Sequence, residues 1–247
     1  MRPCPECIKS VYEWHTTVAT YDVGPDRLLT PSAQLRFQQE AGERHFGEGG
    51  LNFEGVAAFG MAFVVLQNNA VIVRRPKMGE RIVIKTWSRN VKGMRFFRCY
   101  RFEDETGALL IDSVASFALV DLNAHTLLRP TQFPVEVEHQ PDLPHSCPDP
   151  QKLKLPEGMT ACGEHVVRYT ELDFNGHLNN TRYADVVFDV LPPSVRTAVG
   201  GFSITFSHEA KEGDRLVLSR GCDEDGTWYV TAQNGDDTCF TAQVKRG

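Results

Sequence analysis

The chain has 247 residues and a formal net charge of −6, and it combines 41% hydrophobic with 23% charged residues. This length allows one large domain or two small ones, and the charge argues against a general nucleic-acid-binding protein. No apolar run reaches the roughly 18 residues that a membrane-spanning helix needs, so we expect no membrane span. Because residues 1–10 lack an apolar signal core and the seven cysteines are scattered, we expect a cytoplasmic protein with reduced thiols, or one whose targeting segment lies outside this sequence.

Cysteine and histidine spacing gives no support for a metal site. Cys4 and Cys7 form a C-x-x-C pair, but no second pair follows at the spacing of a zinc ribbon. The histidines show no His-x-x-x-His spacing either. The sequence therefore predicts neither a bound metal nor another cofactor.

The first half of the chain combines one long helix with several strands. A strand is predicted over residues 11–21, and Thr30-Pro31 is typical of an N-cap with proline at the first helical position, so a helix is predicted from Pro31 to about His45. Glycines between residues 47 and 60 then predict an irregular loop or a broken helix. Further strands are predicted over residues 61–67, 69–75, 81–88, 96–104 and 109–121, the last two joined by a hairpin at Glu105-Thr106-Gly107. One helix with about five antiparallel strands indicates an α+β fold.

A proline-rich stretch divides the chain. Residues 129–158 contain seven of the 14 prolines and show no apolar period, which is typical of a linker or of a long extended crossover. We therefore predict a flexible tail over residues 1–10, a first unit over 11–128, a linker over 129–160 and a second unit over 161–247.

The pattern of the first unit returns after this stretch. Residues 18–22 match residues 166–170, and the Lys-x-Gly-acid-Arg sequence of residues 77–81 recurs at residues 211–215. Because the same order of turn, helix, strand and hairpin occurs twice, the sequence indicates an internal duplication. We expect the two copies to pack around a pseudo-two-fold axis, as two identical subunits would.

One polar stretch occurs only in the second copy. Asp173, Asn175 and His177 alternate, so in an extended segment their side chains would point the same way. Aligned without a gap, the first copy lacks such a trio at the equivalent positions, which are Pro25, Arg27 and Leu29. A plain polar turn would be free to recur in both copies, so the trio predicts a single active site in the second half.

A helix is predicted directly after the polar trio. Asn179 or Asn180 would cap it, and apolar residues at helical spacing carry it to about Val190. The alternative interpretation of the whole stretch is an ordinary Asx-rich cap and turn without catalytic function.

With these residues in place, the sequence resembles the acyl-acyl carrier protein thioesterase family of plants and bacteria. Residues 173–183 match the D-x-N-x-H-x-N-N-x-x-Y motif of the family, and residues 73–80, 92–95 and 204–214 support the match through their order and spacing. The resemblance implies a double hot-dog fold, in which each half wraps an antiparallel sheet around a central helix. It also implies hydrolysis of the thioester that joins a fatty acyl chain to the phosphopantetheine of a carrier protein.

The resemblance further implies a catalytic set of four residues: Asp173, Asn175, His177 and Glu209. Many relatives have a cysteine after the glutamate, whereas this chain has Ala210, so no thiol nucleophile is available there. Glu209 is then expected to be the general base for water, with a direct nucleophile as the alternative, and the role of general base favours a buried carboxylate.

The other three members would support the reaction of Glu209. His177 would orient the water or protonate the leaving thiolate, Asn175 would hold the water or the carbonyl, and Asp173 would fix its neighbours. Backbone amides at the start of the helix near Asn180 would stabilise the oxyanion, and Asn179 and Asn180 are expected to contact the substrate.

Two further regions are expected to bind the substrate. Met61 and Phe63 lie in an apolar run beside the glycine-rich loop and predict an acyl pocket in the first half, although plain core is the alternative. Ten basic residues and a single acid fall between residues 74 and 101, a composition that suits an acidic carrier protein but also CoA phosphates, RNA or a solvated sheet face. The candidate carrier contacts are Arg74, Arg75, Lys92 and Arg95.

Three other functions remain open at this point. They are an acyl-CoA hot-dog thioesterase, a hydroxyacyl-thioester dehydratase and a non-catalytic acyl-binding module. Because the duplication supplies a hot-dog pair within one chain, both a monomer and a homodimer are compatible with the sequence.

Overall fold

The computed structural model describes residues 8–247, so the C-x-x-C pair and most of the predicted tail lie outside the described residues. The first half contains the following elements: β1 (Tyr12–Thr17), α1 (Pro31–Gly47), α2 (Phe53–Ala57), β2 (Met61–Ile72), β3 (Arg81–Lys92), β4 (Arg95–Asp104), β5 (Leu109–Asp121) and β6 (Leu127–Leu128). The second half contains these: β7 (Thr160–Val166), α3 (Arg182–Asp189), α4 (Pro193–Arg196), β8 (Val199–Phe206), β9 (Arg215–Cys222), β10 (Trp228–Asn234) and β11 (Asp237–Arg246).

All the strands belong to one antiparallel sheet with a symmetric order. The path runs β1-β3-β4-β5-β2-β8-β11-β10-β9-β7, and β6 pairs with β5 beside this path. The two halves meet where β2 pairs with β8, with Asn68 opposite Ile204. Reading outward from this junction gives equivalent strands in the same order on both sides, so the predicted duplication and pseudo-two-fold arrangement are confirmed.

Local sequence signals place the helices and the first hairpin correctly. Thr30 caps α1 by accepting a hydrogen bond from the Ala33 amide at 3.2 Å, and Pro31 occupies the first helical position. The hairpin between β4 and β5 forms at residues 105–107. The fold is therefore the predicted α+β arrangement, in which α1 and α3 pack in the core against the sheet and against each other.

Two local predictions need correction, and one open alternative is decided. The two strands predicted over residues 61–75 are one strand, β2, in which a register shift between Val65 and Gln67 reverses the side-chain alternation. The first predicted strand ends at Thr17, before a short 3-10 helix at Thr20–Asp22. Of the two interpretations of the proline-rich stretch, the structure shows the extended crossover.

The crossover covers one face of the first-half sheet. Gln67 and Asn69 of β2 donate side-chain hydrogen bonds to the backbone carbonyls of Gln151 and Pro148, at 2.9 and 3.1 Å. Cys147 of the crossover is buried among Trp87, Phe97 and Val114 of the sheet. The helices pack against the opposite face of the sheet. Among the helices of the described residues, none is long and apolar enough to cross a membrane.

Candidate active site

Residues 173–177 form a tight turn. The Asp173 amide donates to the His177 carbonyl at 2.8 Å, and the Gly176 amide donates to the Asp173 carbonyl at 3.0 Å. Gly176 has a φ of 77°, a left-handed conformation that glycine adopts without a side-chain clash. The expected polar turn is confirmed, but the expected extended segment with three parallel side chains is wrong.

Asp173 holds the backbone of this turn. Its Oδ1 accepts hydrogen bonds from the amides of Asn175, at 2.8 Å, and His177, at 3.2 Å. This is the Asx-turn geometry that aspartate favours. The Asn175 side chain is exposed and has no hydrogen-bond partner among residues 8–247, so its amide is available to a substrate or a water molecule.

His177 and Glu209 meet at the centre of the site. His177 Nε2 lies 3.2 Å from Glu209 Oε2, and Lys211 Nζ lies 3.2 Å from Glu209 Oε1. The two segments are joined by the Leu178 amide, which donates to the Ala210 carbonyl at 2.7 Å. The structure therefore brings together two predicted residues that are far apart in sequence, and it adds Lys211, which the sequence marked only as part of the repeat.

The His177–Glu209 pair is open to solvent. The His177 side chain is 30% exposed and the Glu209 side chain is 55% exposed, so the expected burial of Glu209 is wrong. A carboxylate with access to water and an imidazole within 3.2 Å of it form a pair that can accept, move and return a proton. Lys211 keeps the second carboxylate oxygen in place.

The start of α3 lies directly behind this pair. Asn179 Oδ1 accepts from the Thr181 amide at 2.9 Å and from the Thr181 hydroxyl at 2.8 Å, whereas Asn180 is exposed. The N-cap residue of α3 is Thr181, so the prediction of Asn179 or Asn180 as the cap is wrong. Tyr183 of the same helix is buried and packs edge-on against Phe206. Burial raises the pKa of the Tyr183 hydroxyl, which therefore stays protonated beneath the site.

The first half contributes to the mouth of the site through an aromatic contact. Phe53 of α2 packs edge-on against Phe174 of the turn at residues 173–177, with 4.5 Å between ring centres, and Phe174 is 70% exposed. The α2 segment depends on Gly55, because a Cβ there would lie 1.9 Å from the Gly50 carbonyl oxygen. The sequence shows the glycine-rich loop, but it gives no sign that the loop meets residue 174.

The predicted acyl-pocket residues lie at the start of β2. Phe63 is half-buried, and its ring packs against the rings of Phe46, Phe96 and Phe133. The distances between ring centres are 5.0 to 6.3 Å. Met61 is also half-buried. This region belongs to the first half, and its role as an acyl pocket remains a prediction.

The basic region of the first half is largely neutralised. Seven of its basic residues form ion pairs with carboxylates: Arg74, Arg75, Arg81, Lys85, Arg89, Lys92 and Arg101. Arg98 is buried. Of the ten, Arg95 and Lys77 are exposed and have no ion-pair partner in the described part of the chain. Most of the charge predicted for carrier binding is therefore paired within the chain, and Arg74, Arg75 and Lys92 as carrier contacts would first have to leave their ion pairs.

The first half contains the same turn without the same chemistry. The Gly24 amide donates to the Leu28 carbonyl at 3.0 Å, and the Leu29 amide donates to the Pro76 carbonyl at 2.8 Å, which are the bonds made by Asp173 and Leu178 in the second half. The equivalents of the trio are therefore Gly24, Asp26 and Leu28, one residue before the positions that the gap-free alignment gave. The first-half turn keeps one polar residue of the three, Asp26, but a leucine replaces His177, so an equivalent of the His177–Glu209 pair cannot form there.

The fold and the site together define a class of protein. Each half wraps an antiparallel sheet around a helix, so the chain is a double hot-dog protein whose second unit carries the His177–Glu209 pair. Models of the acyl-ACP thioesterase N-terminal and C-terminal domains match residues 9–132 and 158–238. The chain belongs to the acyl-ACP thioesterase family, as the resemblance in the sequence implied.

Individual relatives agree with this assignment. A chloroplastic palmitoyl-acyl carrier protein thioesterase of Gossypium hirsutum is 26% identical over 228 residues, which cover 84% of this chain and 54% of the relative. The chain thus spans about half the length of the curated relatives it matches.

Solved structures show the same fold along nearly the whole chain. An acyl-ACP thioesterase of Bacteroides thetaiotaomicron superposes with a TM-score of 0.87 at 18% identity, covering 95% of this chain and 97% of its own. A 12:0-ACP thioesterase of Umbellularia californica gives a TM-score of 0.78 at 20% identity, covering 96% and 97%.

Proposed function

We propose that this protein hydrolyses the thioester that joins a fatty acyl chain to acyl carrier protein and releases the free fatty acid. The observation that carries the proposal is the contact of 3.2 Å between His177 Nε2 and Glu209 Oε2, at the second-half turn of a duplicated acyl-ACP thioesterase fold. Hydrolysis needs a group that takes a proton from water and a group that returns one to sulfur, and this pair supplies both.

The proposed reaction follows from the exposure and the contacts of the pair. Glu209 removes a proton from water as the water oxygen attacks the thioester carbon. The tetrahedral intermediate then collapses, the carbon–sulfur bond breaks, and the proton returns through His177 to the leaving sulfur. The exposed Asn175 amide lies in the same turn and would hold the carbonyl oxygen or the water. One water is consumed, and a fatty acid and a thiol are formed.

The names of the relatives support acyl carrier protein as the carrier, since the Gossypium hirsutum protein is described as a palmitoyl-acyl carrier protein thioesterase. Carrier recognition would be local, because most basic side chains of the first half are already paired within the chain. Arg95, at the exposed start of β4, is the predicted carrier contact that has no such pair among residues 8–247.

The experiment compares one saturated acyl group on two carriers, acyl carrier protein and CoA, and measures thiol release. We expect the larger kcat/KM with acyl carrier protein. Equal or greater efficiency with CoA would replace the proposed substrate with acyl-CoA. Release of thiol from a saturated chain would exclude the dehydratase, and the absence of release from both carriers would leave an acyl-binding module.

Cysteine chemistry supports the cytoplasm, or another reducing compartment, as the site of action. Five cysteines of the described residues are free thiols: Cys99, Cys147, Cys162, Cys222 and Cys239. Free thiols persist where disulfides do not form. When cells are lysed and denatured in alkylating reagent without reductant, we expect all five to be alkylated; a disulfide among them would contradict this location.

A further inference from the structure

Arg98 of β4 is a buried cation without a buried anion. It is 7% exposed, and no Asp or Glu among residues 8–247 lies within ion-pair distance of its guanidinium. Its Nη1 donates to His45 Nδ1 at 2.8 Å and to the Thr86 hydroxyl at 3.2 Å. Its Cζ lies 4.3 Å from the centre of the Phe46 ring. A buried charge without a counter-charge is costly, so Arg98 calls for an explanation.

The neighbours of Arg98 are neutral. His45 Nε2 donates to the Lys9 carbonyl at 2.6 Å, which leaves Nδ1 as an acceptor, and burial lowers the pKa of His45 to about 4. Burial also raises the pKa of Tyr100 to about 12, so this phenol is not an anion. The surrounding side chains therefore leave the positive charge of Arg98 uncompensated.

The helix above Arg98 presents further unused polar groups. Gln34 and Gln38 of α1 are buried, and the Nε2 atoms of both lack a hydrogen-bond partner within the described residues. Gly42 follows on the same side of the helix, where a Cβ would come 3.2 Å from the Tyr100 hydroxyl and 3.7 Å from Arg98 Cδ. The equivalent helix α3 buries a mainly apolar set in its place: Tyr183, Ala184, Val186 and Val187.

Arg98 is remote from the catalytic pair. It pairs with Ala115, which pairs with Asn68, which pairs with Ile204 of β8, the strand that leads to Glu209. Three strand spacings place Arg98 about 14 Å from Ile204, and Glu209 follows five residues after Ile204, beyond the end of β8. A group bound at Arg98 would therefore sit at the far end of an acyl chain whose thioester lies at His177.

We propose that the interior between α1 and β4 binds an oxygen function at the far end of the acyl chain, and that Arg98 determines this specificity. The inference rests on the proposed thioesterase function and names its substrate class, an acyl chain with a terminal carboxylate or hydroxyl. A carboxylate would balance the charge and accept two guanidinium hydrogen bonds, so it should bind more strongly than a hydroxyl. Tyr100, Gln34 and Gln38 supply additional hydrogen-bond donors between α1 and β4.

The activity test uses three carrier-protein thioesters of equal chain length, with a methyl, a hydroxyl or a carboxylate at the far end. For the wild type we expect kcat/KM to be at least about tenfold higher for the carboxylate than for the methyl, with the hydroxyl between them. Arg98→Met should remove or reverse this order. The matched control is Arg81→Met, at the exposed start of β3, and this variant should keep the wild-type order of the three substrates. A wild-type preference for the methyl end would overturn the inference and leave the thioesterase function intact.

A binding measurement separates this inference from the proposed function. Calorimetry with the wild type compares monomethyl sebacate with methyl decanoate, which share a neutral ester and differ at the far end. We expect about tenfold tighter binding of monomethyl sebacate, on the scale of a charge-assisted hydrogen bond, and loss of the difference in Arg98→Met. Equal binding of both esters by the wild type would overturn the inference, even if no thioester were hydrolysed and even if the variant failed to fold.

Discussion

Arg75 occupies in the first half the position that Glu209 occupies in the second. Each directly precedes the residue whose carbonyl accepts the turn leucine's amide, Pro76 in the first half and Ala210 in the second. Arg75 forms an ion pair with Asp26, the equivalent of Asn175. The pseudo-two-fold axis thus relates the Arg75–Asp26 ion pair to the solvent-exposed His177–Glu209 pair. We therefore expect one catalytically active site per chain.

If the second-half site is the only one, single substitutions there should leave little activity. We predict that His177→Ala and Glu209→Ala each lower kcat at least about 100-fold, the usual effect of removing a general acid–base group. The double variant should be little worse than either single one, because the two residues act as a unit. Thiol release from acyl carrier protein at saturating substrate gives the measurement.

Glu212→Gln provides the control for this pair, since Glu212 is exposed and lies close to Glu209 in sequence. It should keep wild-type turnover. Near-wild-type activity in His177→Ala or Glu209→Ala would remove that residue from the mechanism, whereas an equal loss in the control would point to general damage.

Substitution of Asp173 tests whether this side chain acts by holding the backbone of the turn. Asp173→Ala removes the acceptor of two amide hydrogen bonds, so we predict a loss of about 1 kcal/mol in the free energy of unfolding and at least a tenfold fall in kcat. Asp173→Asn keeps an oxygen acceptor at the same place and should retain most of both quantities. Urea denaturation and turnover measure the two effects. If the asparagine variant lost as much activity as the alanine variant, the charge of Asp173 would be required. The structural role that we assign to Asp173 would then be wrong.

Features that depend on neighbouring residues could be predicted from the sequence. The cap at Thr30, the hairpin at residues 105–107 and the end of α3 near Val190 follow from short-range backbone preferences, and the structure has all three. The duplication was also visible, but an alignment without a gap placed the first-half turn one residue late, at Pro25 in place of Gly24. A shift of one residue is invisible in composition and becomes clear only from which amide meets which carbonyl.

Features that depend on distant partners could not be predicted. The basic residues between 74 and 101 look unpaired in sequence, yet Arg89 finds Asp149 in the crossover, 60 residues away. Strand alternation likewise did not show that Arg98 faces the interior, because charged and apolar residues are mixed along β4. His177 and Glu209 were linked only by family resemblance, and their contact required the folded chain.

A charge reversal at Arg95 tests carrier recognition, because most other basic residues of residues 74–101 are already paired. We predict that Arg95→Glu raises KM for acyl carrier protein several-fold and leaves the kinetics with a short acyl N-acetylcysteamine thioester unchanged, because that substrate lacks the acidic carrier. The effect should shrink as salt is added. Lys154→Glu reverses another exposed charge and serves as the control. Equal effects of the two reversals would show a general charge effect, with no contact at Arg95.

His45 should make the fold sensitive to acid. Burial, followed by the nearby charge of Arg98, lowers the pKa of His45 from 6.5 to about 4 in the folded chain. Between these values the unfolded chain binds more protons than the folded chain, so stability rises with pH and is lost as the pH falls from 6.5 towards 4. A difference of this size corresponds to about 3 kcal/mol in the free energy of unfolding.

His45→Gln isolates this contribution. Glutamine can donate to the Lys9 carbonyl and accept from Arg98, the two bonds that His45 makes, but it does not titrate. We therefore predict that urea denaturation between pH 4 and pH 7 shows a shallower fall in stability for the variant, while the two proteins are similar at pH 7. Parallel curves for both would mean that other groups cause the acid sensitivity. Because the glutamine keeps its bond to Arg98, the variant should also preserve any preference for polar-ended acyl chains, which separates the titration of His45 from the binding role of its neighbour.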